Sequence, residues 1–236
     1  TSKLYVPRDS SAVAMGADLV ADKILQVATA TKADVEIVRN GSRGMMWMEP
    51  LLEVETASGR MGYANVTVDD VEHFGLNGFS ESSLAGKGIG LVGEHPYLKN
   101  QERLCFARNG ITDPTSIDDY IAHDGFKGLE AALALDGKSI VEIVTKSGLR
   151  GRGGAAFPTG IKWNTVLGCS ADQKYIVCNA DEGDSGTFSD RMTMEGDPFA
   201  LIEGMSIAAL AVDATKGYLY LRSEYPHAEE VFNEAL

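Results

Sequence analysis

The sequence predicts an α/β chain of two units, and three observations carry that prediction. Strand-like alternation and helix-like spacing succeed each other over residues 3–74 and again over 101–236, separated by a glycine- and serine-rich stretch. The second unit reads strand, helix, strand, helix with short joints, the pattern of a parallel sheet covered by helices. The composition, 44% hydrophobic and 23% charged over 236 residues, suits one large globular domain or two modest ones.

In the first unit "KLYVP" (3–7) is a short alternating strand. Residues 11–32 carry Leu19, Ile24, Leu25 and Val27 at helical spacing, and "ADVEIVR" (33–39) alternates as a second strand. "LLEVET" (51–56) and "MGYANV" (61–66) form a hairpin around Ser58-Gly59, and Thr67 is the N-cap of a helix with an acidic first turn. The order β-α-β-β-β-α is that of a thioredoxin-like domain, assigned to residues 1–74. Residues 75–100 have no clear period and read as a linker or extended wrap. Their "GKGIG" around Lys87 lacks the spacing and the hydroxyl residue of a phosphate loop.

In the second unit, 101–236, "DPTSIDDYIAHDG" (113–125) is a helix capped by Thr115 or Ser116, and "KGLEAALALDG" (127–137) a helix ending at Gly137. A third, over 139–148, sets Ile140, Ile143 and Val144 on one face and stops at Gly148; "KWNTVLG" reads as a fourth. "KYIVCNA" (174–180) and "GYLYLRS" (217–223) are near-continuous apolar runs, which predicts strands buried on both faces. Between them lies a long helix over 197–214, with Asp197 as cap and Pro198 at its first position. "PHAEEVFNEAL" (226–236) is amphipathic and has no terminator, so the sequence reads as the N-terminal part of a longer domain.

The charge balance, 21 basic against 34 acidic residues for a net −13, argues against nucleic acid as a partner, because phosphate binding relies on basic residues. No apolar run approaches a membrane span and the first residues have no signal-peptide core, so the expectation is a cytoplasmic protein. Cys105, Cys169 and Cys178 lack metal-ligand spacing and read as buried or incidental thiols, and the four histidines are scattered. No metal site is predicted.

Against this acidic background "SGLRGRGGAAFPTGIKW" (147–163) stands out, for residues 145–165 carry four cations and no acid. A loop that is sterically open and cationic lets backbone N–H groups approach an anion closely. Gly151, Gly153 and Ala156 fit the dinucleotide fingerprint, but a helical segment precedes them where the fingerprint needs a strand. Arg152 and Lys162 offer phosphate partners, Phe157 an aromatic face, and Pro158 a stiff exit. The second candidate loop, "NADEGDSGTFSDR" (179–191), follows a strand directly, the place where open parallel sheets bind ligands. Asn179, Asp181 and Glu182 supply donors and acceptors, and Gly183 and Gly186 leave room for a flat ligand; Asp190, Glu195 and Glu203 read as helix caps and solvated surface acids.

These two loops, with "GYLYLRSEYPHAEE" (217–230), resemble the NADH-oxidising flavoprotein subunit of respiratory complex I, a module shared with NAD-reducing hydrogenases and NAD-dependent formate dehydrogenases. The resemblance covers residues 100–236, about the N-terminal half of the flavin subunit. Asp184 and Ser185, where complex I relatives usually have Glu and Pro, and the fused front unit resemble the beta (diaphorase) subunit of formate dehydrogenase. The resemblance implies FMN cradled by Gly151, Arg152, Gly153 and Gly154 with Lys162, and NADH over the flavin with Phe157 stacked on a base. It implies that Asn179, Asp181 and Glu182 hydrogen-bond the ribityl chain or ring and that Asp184 lines the nicotinamide side. Hydride would pass directly between nicotinamide and flavin, so no general acid or base is expected.

The front unit resembles the thioredoxin-like 2Fe–2S ferredoxin that accompanies this flavoprotein, but its loops "PRDSSAVAMG" and "RNGSRGMMWM" hold no cysteine. Thiolates are the ligands such a cluster needs, so a docking module without a cluster is expected. The family's 4Fe–4S cluster is held by cysteines of a later domain, absent from this sequence. The partners implied are iron–sulfur subunits, a ferredoxin-like gamma and a molybdenum-containing alpha subunit. Two alternatives accompany this reading: the flavin subunit of complex I or of a NAD-reducing hydrogenase, and a non-catalytic nucleotide-binding scaffold.

Overall fold

Alternating apolar residues at the N-terminus make β1 (Ser2–Tyr5), which buries Leu4 completely. The computed structural model describes residues 1–79, Leu84 and 86–236. The expected long helix over 11–32 is two: α1 (Ser10–Ala14), capped by the Asp9 carboxylate on the Ser11 N–H, and α2 (Ala17–Thr31). Gly16, at φ +96°, makes the break, a backbone angle that residues with a side chain rarely adopt. The buried face of α2 is Ala17, Val20, Ala21, Ile24, Val27 and Ala28, whereas Leu19 and Leu25 face solvent. The expected face was read from the largest apolar residues. Ile24 and Val27 lie on it as expected, and Ala17, Ala21 and Ala28 with Val20 complete it in place of Leu19 and Leu25.

β2 (Val35–Val38) lies parallel to β1, and β3 (Leu52–Thr56) and β4 (Gly59–Tyr63) form the predicted hairpin, with Gly59 at φ +119°. α3 (Val68–Leu76) opens with a capping box between Thr67 and Asp70. Gly75 lets α3 lie against α2, since a Cβ there would sit 2.2 Å from Val27 Cγ1. The order β-α-β-β-β-α is thus present. The stretch read as a linker adds to it: β5 (Gly88–Leu91) pairs antiparallel with β4 and completes a sheet of order β2-β1-β3-β4-β5. Residues 80–83 and 85 of that stretch lie outside the described residues.

The same stretch ends in α4 (Pro96–Lys99), whose Leu98 packs with Met45 and Leu51, and the second unit begins with the short helices α5 (Ile117–Ala122) and α6 (Lys127–Leu133). Ser116 caps α5. Gly137 does not end α6 but opens α7 (Gly137–Ser147), because Asp136 accepts the Ser139 N–H and so caps the next helix. Of the face expected on α7, Ile140 is buried but Ile143 is exposed. α8 (Thr159–Leu167), β6 (Tyr175–Ala180), α9 (Ser189–Gly196), α10 (Pro198–Val212), β7 (Lys216–Leu221) and α11 (Pro226–Ala235) follow. β6 and β7 pair in parallel across the α9–α10 crossover, in register from Tyr175–Lys216 to Ala180–Leu221.

These strands are not buried on both faces, as their apolar runs suggested. Ile176, Leu219 and Leu221 pack under α8, α10 and α11, while Tyr175, Val177, Tyr218 and Tyr220 on the other face are at least half exposed. The helices cover one side of this two-stranded sheet, and nothing described covers the other. The cysteines also differ from expectation: Cys105 and Cys169 are exposed and Cys178 is half-buried.

The two units meet along α9. Glu195, fully buried, accepts the Ser10 N–H at 2.8 Å and the Ser10 hydroxyl at 2.5 Å, and Arg191 donates to Ser11 Oγ at 3.0 Å. Gly41 and Gly196 are in backbone contact, for a Cβ on Gly41 would lie 2.7 Å from Gly196 Cα. Asn40 Nδ2 donates to Gly110 O at 2.7 Å and Asn109 Nδ2 to Met192 O at 2.8 Å. The reading of Glu195 and Glu203 as solvated acids is therefore overturned. Glu203 is likewise buried, accepting the N–H groups of Phe126 and Leu129, each at 2.9 Å, and the Tyr120 hydroxyl.

Candidate functional site

The glycine loop leaves α7 at Gly148, which caps the helix at φ +71°, and enters α8 at Thr159. The helix before it explains why the fingerprint Gly151-Gly153-Ala156 sits outside a strand–turn–helix unit. The loop is a narrow hairpin: Gly151 N–H donates to Phe157 O, Thr159 N–H to Leu149 O, and Arg150 Nη1 to Ala156 O, each at 2.9 Å. Arg150 is thus spent on holding the loop. Arg152 and Lys162 are exposed and, among the described residues, their side chains make no hydrogen bond or ion pair, so both positive charges remain available.

The glycines divide by function. A Cβ on Gly153 or Gly154 would meet no atom within 4 Å, so these two leave open space at the loop surface. Gly154 also requires its φ of +92°. Gly160 is structural instead, since a Cβ there would fall 2.2 Å from Thr145 Oγ1 and force α8 off α7. Phe157 is half exposed at the rim.

The second loop leaves β6 at its carboxyl end. Asn179 Oδ1 accepts the Asp181 N–H at 3.0 Å, and the Asp184 carbonyl accepts the N–H and hydroxyl of Thr187 at 3.2 and 2.6 Å. The side chains of Asn179, Asp181 and Asp184 are exposed, and a Cβ on Gly183 would again meet nothing. Glu182 is different, being only 7% exposed. Its carboxylate accepts the N–H groups of Asp190 and Arg191 at 3.0 and 3.1 Å and the hydroxyls of Ser189 and Tyr225 at 3.2 and 3.1 Å. Burial opposes its ionisation, but these donors prevail and hold the carboxyl below its ordinary range. Glu182 thus pins the start of α9, while Arg222 donates to its backbone carbonyl.

Lys174, just before β6, reaches back to the Leu167 carbonyl at the end of α8 at 3.1 Å and ties the two elements together. Among the described residues no hydrogen bond or ion pair joins the loops. One loop is cationic and open and the other acidic, chemistries suited to phosphate on the one and to hydroxyls or ring heteroatoms on the other.

Sequence reasoning missed Arg222 and Tyr225, which hold Glu182 of the second loop from outside it, and the bonds of Arg191 and Glu195 to Ser11 and Ser10. A cavity of about 870 Å³ lies elsewhere, in an apolar groove beside β7 lined by Met205, Leu210, Leu219 and Phe232. It holds none of the predicted site residues. Among the described residues no group of histidines, cysteines and acids is placed to hold a metal ion, and no helix is long and apolar enough to cross a membrane.

Comparison with known proteins bears on both loops. Residues 144–236 match the family described as the Nuo51 FMN-binding domain. The chain is 51% identical over 138 residues to HndC, a subunit of the NADP-reducing hydrogenase of Solidesulfovibrio fructosivorans, covering 58% of this chain and 28% of that one. It is 45% identical over 121 residues to an NADH-quinone oxidoreductase subunit of Aquifex aeolicus, covering 51% and 28%. It is 43% identical over 108 residues to the alpha subunit of the NAD-reducing hydrogenase HoxS of Cupriavidus necator, covering 46% and 18%. The chain therefore spans less than a third of the length of these relatives. A crystal structure of an NAD+-reducing NiFe hydrogenase aligns over 99% of this chain and 40% of its own, with 20% identity and a TM-score of 0.46.

Proposed function

We propose that the loops 150–158 and 179–188 bind FMN and NAD(H), and that the protein carrying them is an NAD(H)–FMN oxidoreductase subunit of a multi-subunit electron-transfer complex. The observation that carries this is the pairing of a matched FMN-binding segment with open glycines beside unpaired cations. Gly153, Gly154 and Gly183 leave space that a Cβ would begin to fill, and Arg152 and Lys162 have charge to spare for phosphate. The chain's residues thus fit the cofactor.

In this reading Gly151, Arg152, Gly153, Gly154 and Lys162 hold the FMN phosphate side, and Phe157 stacks on a base of NAD(H). Asn179 and Asp181 face the ribityl chain or ring, and Asp184 lines the nicotinamide side. Glu182, with its carboxylate engaged by four donors, serves by fixing the backbone of this loop. The bound cofactors supply hydride transfer and the two-electron to one-electron conversion. The chain contributes position and charge, the larger share of catalysis where no proton needs moving.

The type of complex is read in two ways. The cysteine-free front unit and the Asp184–Ser185 pair support the diaphorase subunit of an NAD-dependent formate dehydrogenase, with iron–sulfur and molybdenum-containing partners. The relatives named above favour a hydrogenase or NADH-quinone oxidoreductase at least as well. Anaerobic NADH titration of the purified complex tests the site. Stoichiometric bleaching of bound FMN, lost when Gly153 is replaced by a bulky residue, is expected. A complex without flavin, or with flavin that NADH leaves oxidised, would overturn the reading. Formate-dependent NAD+ reduction by the same preparation separates the two types.

A further inference from the structure

Where the two units meet, a second pocket opens, of about 440 Å³, walled by Trp47, Tyr97, Phe106 and Phe188 with Arg43 and Arg103 among its lining. Its volume is that of a small-molecule site. The rings are arranged rather than scattered, Trp47 and Tyr97 meeting edge to face with centroids 5.0 Å apart. No carboxylate lines it.

The two arginines differ in their partners. Arg43 is committed, its guanidinium gripping the fully buried Glu53 through two bonds of 2.8 Å. Arg103 has no such anchor. Its Nε is buried without a hydrogen-bond partner, and among the described residues no carboxylate lies within ion-pairing distance. Burial, followed by the nearby Arg43 charge, pushes its pKa down, so the fold strains against a cation there. A half-buried, unpaired charge costs stability unless something else supplies the counter-charge.

We infer that this inter-unit pocket binds a small aromatic carboxylate, its carboxylate on Arg103 and its ring among Trp47, Tyr97, Phe106 and Phe188. One spare guanidinium neutralises one negative charge, and its planar fork matches a carboxylate. Four aromatic walls match a flat apolar body. The concave site between two units favours a small molecule over a protruding peptide. The glycine loop does not line the pocket and the second loop does so only through Phe188 and Ser189 at its end, so the inference stands whether or not FMN binds.

Trp47 supplies the readout. In the full chain, benzoate is expected to change its fluorescence saturably, and the neutral isostere benzamide to bind about tenfold more weakly or worse. Trp47→Phe should abolish the signal. Arg103→Met should weaken benzoate by about tenfold or more and, in benzoate-free buffer, keep or raise the melting temperature, because it removes an unpaired half-buried charge. No saturable change with benzoate, equal binding of benzoate and benzamide, or unchanged affinity in Arg103→Met would each overturn the assignment.

Discussion

Glu195 on α9, itself fully buried, takes both the backbone N–H and the hydroxyl of the partly buried Ser10, a residue 185 positions earlier. The same helix begins under Glu182, so the front unit and the second loop are held by opposite ends of one short rod. Glu195→Ala strands both partly buried Ser10 donors and should cost about 1–3 kcal/mol in urea unfolding. Hydrogen exchange over 181–188 should rise in parallel, while exchange over 150–158 stays as in the parent.

Gly153 in the cationic loop and Gly160 in the helix it enters should behave oppositely. Gly160→Ala drives a methyl into Thr145 and should lose about 1–3 kcal/mol. Gly153→Ala meets only open space and should leave the melting temperature unchanged, with its effect confined to flavin content. Equal melting temperatures for the two variants would refute the division between structural and ligand-facing glycines.

Glu49 is buried near Asp9, and burial, followed by the Asp9 charge, raises its pKa to about 8. A carboxyl with a raised folded-state pKa binds its proton more tightly folded than unfolded. Its contribution is complete below the unfolded value, about 4.3, and is lost as pH rises towards about 8. Glu49→Gln should flatten that decline, gaining on the parent between about pH 5.5 and about 8 in denaturant titrations.

Glu182 has the reverse sign. Its carboxyl is held below the ordinary range, so its stabilisation is present above about pH 4.3 and fades as acid protonates it. Glu182→Gln should cost about 1–2 kcal/mol at pH 7, and the gap to the parent should close at low pH. A gap that widens on acidification would refute the capping role.

Much of this fold is legible because local chemistry and tertiary structure agree. Thr67 with Asp70, Ser116, Asp197 before Pro198, and Gly148 each mark a helix end through a group that satisfies orphan backbone. The failures share a cause. Leu19 and Leu25 are large and apolar yet exposed, because Ala17, Ala21 and Ala28 with Val20 complete the buried face in their place. Glu195 and Glu203 look like surface acids because their partners, Ser10 and the Tyr120–Leu129 segment, lie far away in sequence. The glycine loop could be read from its residues, but which glycines face space and which face Thr145 depends on helix packing that no local pattern encodes.

The contact of Gly41 with Gly196 has a mechanical meaning. Two backbones touching without side chains between them form a keyed joint, with no rotamers to yield when one part turns against the other. The front unit should therefore tumble with the second as one body and give a single rotational correlation time. A module keyed in this way does not swing between stations as a mobile carrier does; whatever it meets must come to it.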